Sequence, residues 1–194
     1  LDVNGNFTLD DSGVELVSSN ADDYMMSVVP TPDGKFMIFW MEDAWPASSL
    51  KFTKIDSEGN IEIGWNPNGN SLSNPSFDSR NLTVKSVADE SGVLAIWTQD
   101  GNFSDIYAQM ISWDGEALWN EGGIAVSEAD NDQVNFSFEF NESKTHALVT
   151  WEDYRNGTDF EIFGEVIDLE SGSSNNQDIQ FSNDTTNQYN PTMA

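Results

Sequence analysis

Four short turns recur along this chain at nearly constant spacing, and they limit its possible folds more than any other feature. They are Leu1-Asp2-Val3-Asn4-Gly5-Asn6, Ile55-Asp56-Ser57-Glu58-Gly59-Asn60, Ile111-Ser112-Trp113-Asp114-Gly115-Glu116 and Ile167-Asp168-Leu169-Glu170-Ser171-Gly172, with first residues 54, 56 and 56 positions apart. A second marker keeps step. Trp40, Trp97 and Trp151 each close an apolar run, at intervals of 57 and 54 residues. Two markers with one period define a tandem repeat of about 56 residues. The repeat divides the chain into units of approximately 1–54, 55–110, 111–166 and 167–194.

Within the units, clusters of apolar residues are separated by Gly, Asn, Asp and Ser, and no stretch holds a 3.6-residue period. This pattern predicts an all-β chain. Each unit resolves into four short strands. The inner one is Tyr24–Val29, Leu82–Ala88 or Val134–Phe140, and it leads through a reversal such as Pro32-Asp33-Gly34 or Glu90-Ser91-Gly92 into the Trp-bearing strand. A third strand follows at Leu50–Ile55, Asp105–Ser112 or Glu161–Asp168, and a short outer strand is expected at Glu15–Ser19, Ser71–Ser73, Ile124–Glu128 and Asp178–Ser182. Alternation in the Trp strand places Phe36, Ile38 and Trp40 on one face and Met37, Phe39 and Met41 on the other. A strand that is apolar on both faces belongs to a sheet sandwiched between neighbours. Four-stranded antiparallel units that cannot bury both faces alone are the logic of a β-propeller blade. About three and a half such units are present, beginning and ending within a blade, so the expectation is part of a longer propeller. Pairing of two half rings into a dimer is the alternative.

Charge narrows the range of partners. Seven Lys and Arg stand against thirty-four Asp and Glu, a formal net charge of −27. That charge repels a nucleic-acid backbone and an anionic membrane surface, so neither nucleic-acid binding nor membrane insertion is expected. The chain has no cysteine, which excludes disulfides, thiol catalysis and thiolate metal sites. No apolar run approaches the roughly 18 residues needed to span a bilayer, and Leu1–Asn6 does not read as a signal peptide. An export signal, if the protein has one, is expected outside this segment.

Trp151-Glu-Asp153-Tyr-Arg155-Asn-Gly157-Thr-Asp159, followed by an aromatic strand and Ile167-Asp168, resembles the propeller repeats of large exported proteins of Bacteroidota and related bacteria. Asp105-Ile-Tyr-Ala-Gln109 with Asp114-Gly115-Glu-Ala-Leu-Trp119 matches the second half of that motif. The first repeat departs from it, with Ala44-Trp45-Pro46 where Arg and Gly would stand. The resemblance covers nearly the whole chain and implies a secreted or cell-surface bacterial protein. Many such proteins leave the cell through the type IX secretion system, so components of that translocon are implied as partners. The motif itself is a signature of fold.

The turns between second and third strands are expected on the same face as the links between units, and that face is acidic. Asp100, Asp153, Arg155 and Asp159 are its candidate binding residues. Arg155, flanked by Asp153 and Asp159, is more suited to tying down its own loop than to gripping a ligand. Asp130 and Asp132 are candidate calcium ligands, since calcium takes six to eight hard oxygen donors. Their spacing is that of neither an EF-hand nor a calcium-binding nonapeptide repeat. Otherwise no cofactor is indicated. His146 is the one histidine and has no partner histidine for a metal site. A sialidase-type Asp box is absent, although Ser112-Trp113-Asp114-Gly115 echoes part of one, and no Gly-x-Ser-x-Gly nucleophile is present.

The functional expectation is a non-catalytic platform that binds a protein or a glycan at its acidic loop face. One alternative is a cargo segment of a type IX secretion substrate with no activity of its own. Another is a carbohydrate-active enzyme that uses carboxylates at the channel, which would have to stand roughly 5 to 9.5 Å apart. The residues lean against catalysis.

Overall fold

The computed structural model describes residues 15–17, 19–87, 91–174 and 178–193. Their strands are β1 (Asp22–Pro30), β2 (Phe36–Asp43), β3 (Ser49–Ile55), β4 (Asn70–Ser71), β5 (Asp78–Ser86), β6 (Val93–Asp100), β7 (Ser104–Ile111), β8 (Ile124–Ser127), β9 (Gln133–Phe140), β10 (His146–Asp153), β11 (Glu161–Asp168) and β12 (Ile179–Gln180). No helix occurs among the described residues. Four consecutive strands make each of three antiparallel sheets, β1–β4, β5–β8 and β9–β12, which are consistent with propeller blades. A unit counted from the Gly turn therefore starts between the third and outer strands of one sheet.

The strand expectations differ from the structure mainly at their ends. β1, β5 and β9 start earlier than the apolar alternation indicates, because the polar residues at Asp22, Asp78 and Gln133 pair across to Asp43, Asp100 and Asp153. The outer strands β4 and β12 are two residues long. Ser18, within the expected outer strand Glu15–Ser19, lies outside the described residues, and the described positions of that stretch form no strand. The Leu1–Asn6 turn, Ala88 and Glu90 also lie outside them.

Both faces of the middle sheet are buried, as the double apolar pattern requires. Val93, Ala95 and Trp97 of β6 face the first sheet and share a core with Met37, Phe39, Leu50 and Phe52. Their neighbours Leu94 and Ile96 face the third sheet and pack with Phe138, Ala147, Val149, Trp151 and Phe163. Burying each such side chain contributes about 1.5–3 kcal/mol, so these two interfaces supply most of the apolar stabilisation.

Two polar or close-packed devices repeat between sheets. At one end, Asp78 Oδ1 accepts the Ser48 backbone N–H at 2.7 Å and Asp132 Oδ1 accepts that of Ser104 at 3.0 Å. Each carboxylate at the start of a sheet thus clasps the β2–β3 or β6–β7 turn of the preceding sheet. At the other end, Trp65 lies on Gly115 and Trp119 on Gly172, where an added Cβ would come within 2.6 and 2.7 Å of the indole carbons. Glycine is required there by the approach of the ring.

The last residues repeat the clasp. Asn187 Oδ1 accepts the Phe160 N–H at 2.8 Å, and Gln188 N–H returns a 2.8 Å bond to the Phe160 carbonyl, as Ser79 N–H does to Ser48 at 2.9 Å. Asn81, Asn135 and Asn190 share left-handed φ values of 56°, 50° and 56°, a region asparagine tolerates. Met193 packs against the core between the second and third sheets. The segment from Asn187 to Met193 therefore follows the course that β5 and β9 take when they start a new sheet.

Candidate functional site

The clasps gather one end of every sheet into a common loop face, made of the turns 44–48, 101–103 and 154–160 and the links 72–77, 128–132 and 181–187. Asp78, Asp132 and Asp153 on this face each accept a backbone N–H, and other carboxylates there bond side chains of the turns. Asp100 takes a two-point ion pair from Arg80, at 2.6 and 3.1 Å, and the Ser104 hydroxyl donates to it at 2.7 Å. Asp132 is the clasp on Ser104, while Asp130 is exposed beside it. Among the described residues, no group of three or more His, Asp or Glu side chains is placed to hold a metal ion.

Asp153 and Arg155 are brought together. The Asp153 side chain is wholly buried and accepts bonds from Trp151 Nε1 at 2.7 Å, from Arg155 N and Nε at 2.8 Å each, and from Arg155 Nη2 at 2.6 Å. Arg155 Nη2 also reaches Asp178 at 2.6 Å, and its guanidinium lies 3.9 Å from the Phe163 ring centre. This arrangement ties the turn to β12's approach and engages most of the guanidinium's donors. Asp159 stays apart, accepting from Asn156 Nδ2 at 3.1 Å and from the Thr158 hydroxyl at the tip of the same turn.

A second group of acids meets where the second and third sheets join. Asp105 is pushed up to about 6, first by burial and then by the negative charges of Glu128, Asp132 and Asp100. Glu128 also accepts the Tyr107 hydroxyl at 2.5 Å. A raised carboxyl pKa means that the folded chain holds a proton the unfolded chain has lost. The unfolded value is about 3.9, so the contribution of Asp105 to stability is full below about 4 and declines as pH rises through about 6. Thermal unfolding between these limits should show this decline in the wild type and lack it in Asp105→Asn. Equal slopes for the two proteins would show that Asp105 titrates normally.

The residue that stands out on this face was not among the sequence candidates. Trp45, in the turn after β2, is 95 % exposed. Its signal was visible as the tripeptide Ala44-Trp45-Pro46, a tryptophan outside the strand period and inside a turn. Phe103 in the equivalent turn of the second sheet is 42 % exposed. In the third sheet Tyr154 and Phe160 lie 4.9 Å apart, and Tyr189 lies 6.0 Å from Phe160. The loop face thus carries aromatic surface in each of its three turns, set among carboxylates.

No family model matches this chain, and neither does any curated protein. The endo-arabinase from Bacteroides thetaiotaomicron VPI-5482 is a solved structure to which the chain is similar, with 12 % identity and a TM-score of 0.48. The match covers 81 % of this chain and 61 % of that one, so the chain spans less than two thirds of the enzyme's length.

Proposed function

We propose that this chain is a propeller segment acting as a non-catalytic binding platform, with a protein or a glycan held on its loop face. The observation that carries the reading is the aromatic surface there, above all the nearly free Trp45 ring. Exposing a large apolar ring to water is unfavourable, and a ring in a turn braced by the Ser48 clasp can stack on a sugar or a side chain with little loss of entropy. Binding is favoured over turnover because Asp100, Asp132 and Asp153 are already committed to holding turns. A catalytic carboxylate pair needs groups free to exchange protons with substrate.

The strongly negative surface selects against acidic ligands and in favour of neutral glycans or basic protein surfaces. Export to the bacterial surface, by the type IX route, remains part of the proposal and rests on the repeat motif around Trp151 and Asp159. Detection of the protein in the outer-membrane and culture fractions of its host would test that part.

Screening against neutral glycans and basic proteins, followed by calorimetry, tests the platform. Trp45→Ala should weaken a binder at least about tenfold, the scale of an interface hot spot. Its unfolding midpoint should not change, because the ring packs on little. Salt separates the two ligand classes, since a basic protein weakens with ionic strength and a neutral glycan does not. Failure of both panels to bind, or equal binding by Trp45→Ala, rejects the platform.

A further inference from the structure

The clasps between sheets join the aromatic side chains of the loop face into a row. Asp78 holds the N–H of Ser48 in the turn that carries Trp45, and the residue before Asp78 is the exposed Phe77. The Phe77 ring lies against the next turn, where a Cβ built at Gly101 would stand 4.0 Å from its Cε1 atom, and that turn carries the exposed Phe103. Asp132 continues the row. Its side chain takes the N–H of Ser104, beside Phe103, and its backbone carbonyl takes the N–H of Tyr154 at 2.9 Å. Tyr154 in turn lies 4.9 Å from Phe160. Each turn therefore offers aromatic surface at a position tied to its neighbour through one residue, Asp78 or Asp132. Polar groups stand free between the rings: among the described residues, neither the exposed Asn102 amide nor the Tyr154 hydroxyl makes a hydrogen bond.

We propose that this row is a binding track for a linear neutral glycan, with successive sugar rings stacked on Trp45, on Phe77 and Phe103, and on Tyr154 and Phe160. The inference rests on the platform reading and narrows its ligand. Aromatic surface recurs once per sheet, which suits a polymer whose own units repeat. A sugar presents an apolar C–H face to an aromatic ring and hydroxyls around its rim, and an amide such as Asn102 both donates to hydroxyls and accepts from them. A cationic peptide would need unpaired carboxylates beside the rings, whereas Asp43, Asp78 and Asp132 there are already bonded to the turns. A polyanion is repelled by the net charge of −27. Once one sugar is stacked, each further contact along the same glycan becomes intramolecular, so affinity rises with chain length.

Calorimetry of the full chain with neutral oligosaccharides of glucose, mannose, galactose, xylose or arabinose, each as di-, tetra- and hexasaccharide, provides the test. The hexasaccharide of a glycan that binds should bind at least about tenfold more tightly than its disaccharide. Phe103→Ala, in the middle of the row, should weaken the hexasaccharide about tenfold and change the disaccharide by no more than about twofold, because a short ligand can use either flanking turn. Phe103→Trp, which keeps a ring, should retain the wild-type length dependence. Phe77→Ala should repeat the effect of Phe103→Ala, and urea midpoints equal to wild type should show that both alanine variants keep the fold, since both side chains are exposed. Equal affinity for di- and hexasaccharide, or undiminished length dependence in Phe103→Ala, would overturn the track and leave Trp45 as a single contact of the platform. Binding of basic proteins with no glycan bound would also overturn the track while the platform stands. If neither class binds, platform and track fall together.

Discussion

Asp153→Ala is expected to destabilise the chain by about 3–5 kcal/mol, the cost of removing one partner from a buried ion pair. The carboxylate is wholly buried and takes four bonds, three from Arg155 and one from the Trp151 indole. Alanine would leave the indole N–H without an acceptor and a half-buried guanidinium with Asp178 alone. Asp153→Asn keeps an acceptor for the indole and loses the charge, so its loss should be smaller. Urea unfolding should show a lower midpoint at constant m-value for both variants. Asp159→Ala, at the exposed tip of the same turn, should shift stability by no more than about 0.5 kcal/mol. A loss below about 1 kcal/mol in Asp153→Ala would mean that the carboxylate is not holding the turn. It would then be free for a ligand.

This contrast explains how much of the site was legible. The tandem spacing of Trp40, Trp97 and Trp151 located the strands, because a buried two-faced strand leaves an apolar run that no loop imitates. Asp153 and Arg155 were visible as a charged pair in a turn. Nothing in the sequence distinguishes a carboxylate that bonds its own backbone from one that waits for a ligand, since both are acids beside Asn and Gly. The clasp by Asp78 and Asp132 depends on contacts 30 and 28 residues away. Such contacts appear only when adjacent sheets are placed. Trp45 was hidden for the opposite reason, since its neighbours break the repeat and the residue reads as a departure from the pattern.

Trp97→Ala is the second large effect, at about 3–5 kcal/mol for an aromatic truncated in a packed core. The ring is fully buried, stacks 6.2 Å from Tyr107, and lies so close to Gly123 that a Cβ there would come within 2.6 Å of it. Neighbours cannot collapse into the space easily. Alanine at Gly123 is no remedy, because that residue holds a φ of +91°, a region costly for any side chain. Trp97→Phe should lose much less, since it also removes an indole N–H that is buried without a partner. The loss is large against the 5–15 kcal/mol that holds a typical domain together. Its distribution is more informative than its size. Trp97 lies in the core between the first and second sheets, on a strand whose opposite face joins the second to the third. In a stack of sheets, stability is a sum of unit and interface terms. If the sheets fold as one unit, hydrogen exchange in Trp97→Ala should accelerate equally in β2, β6 and β10. Acceleration confined to β2 and its partners would instead make the first interface the weak link, with the other two sheets folding as a pair.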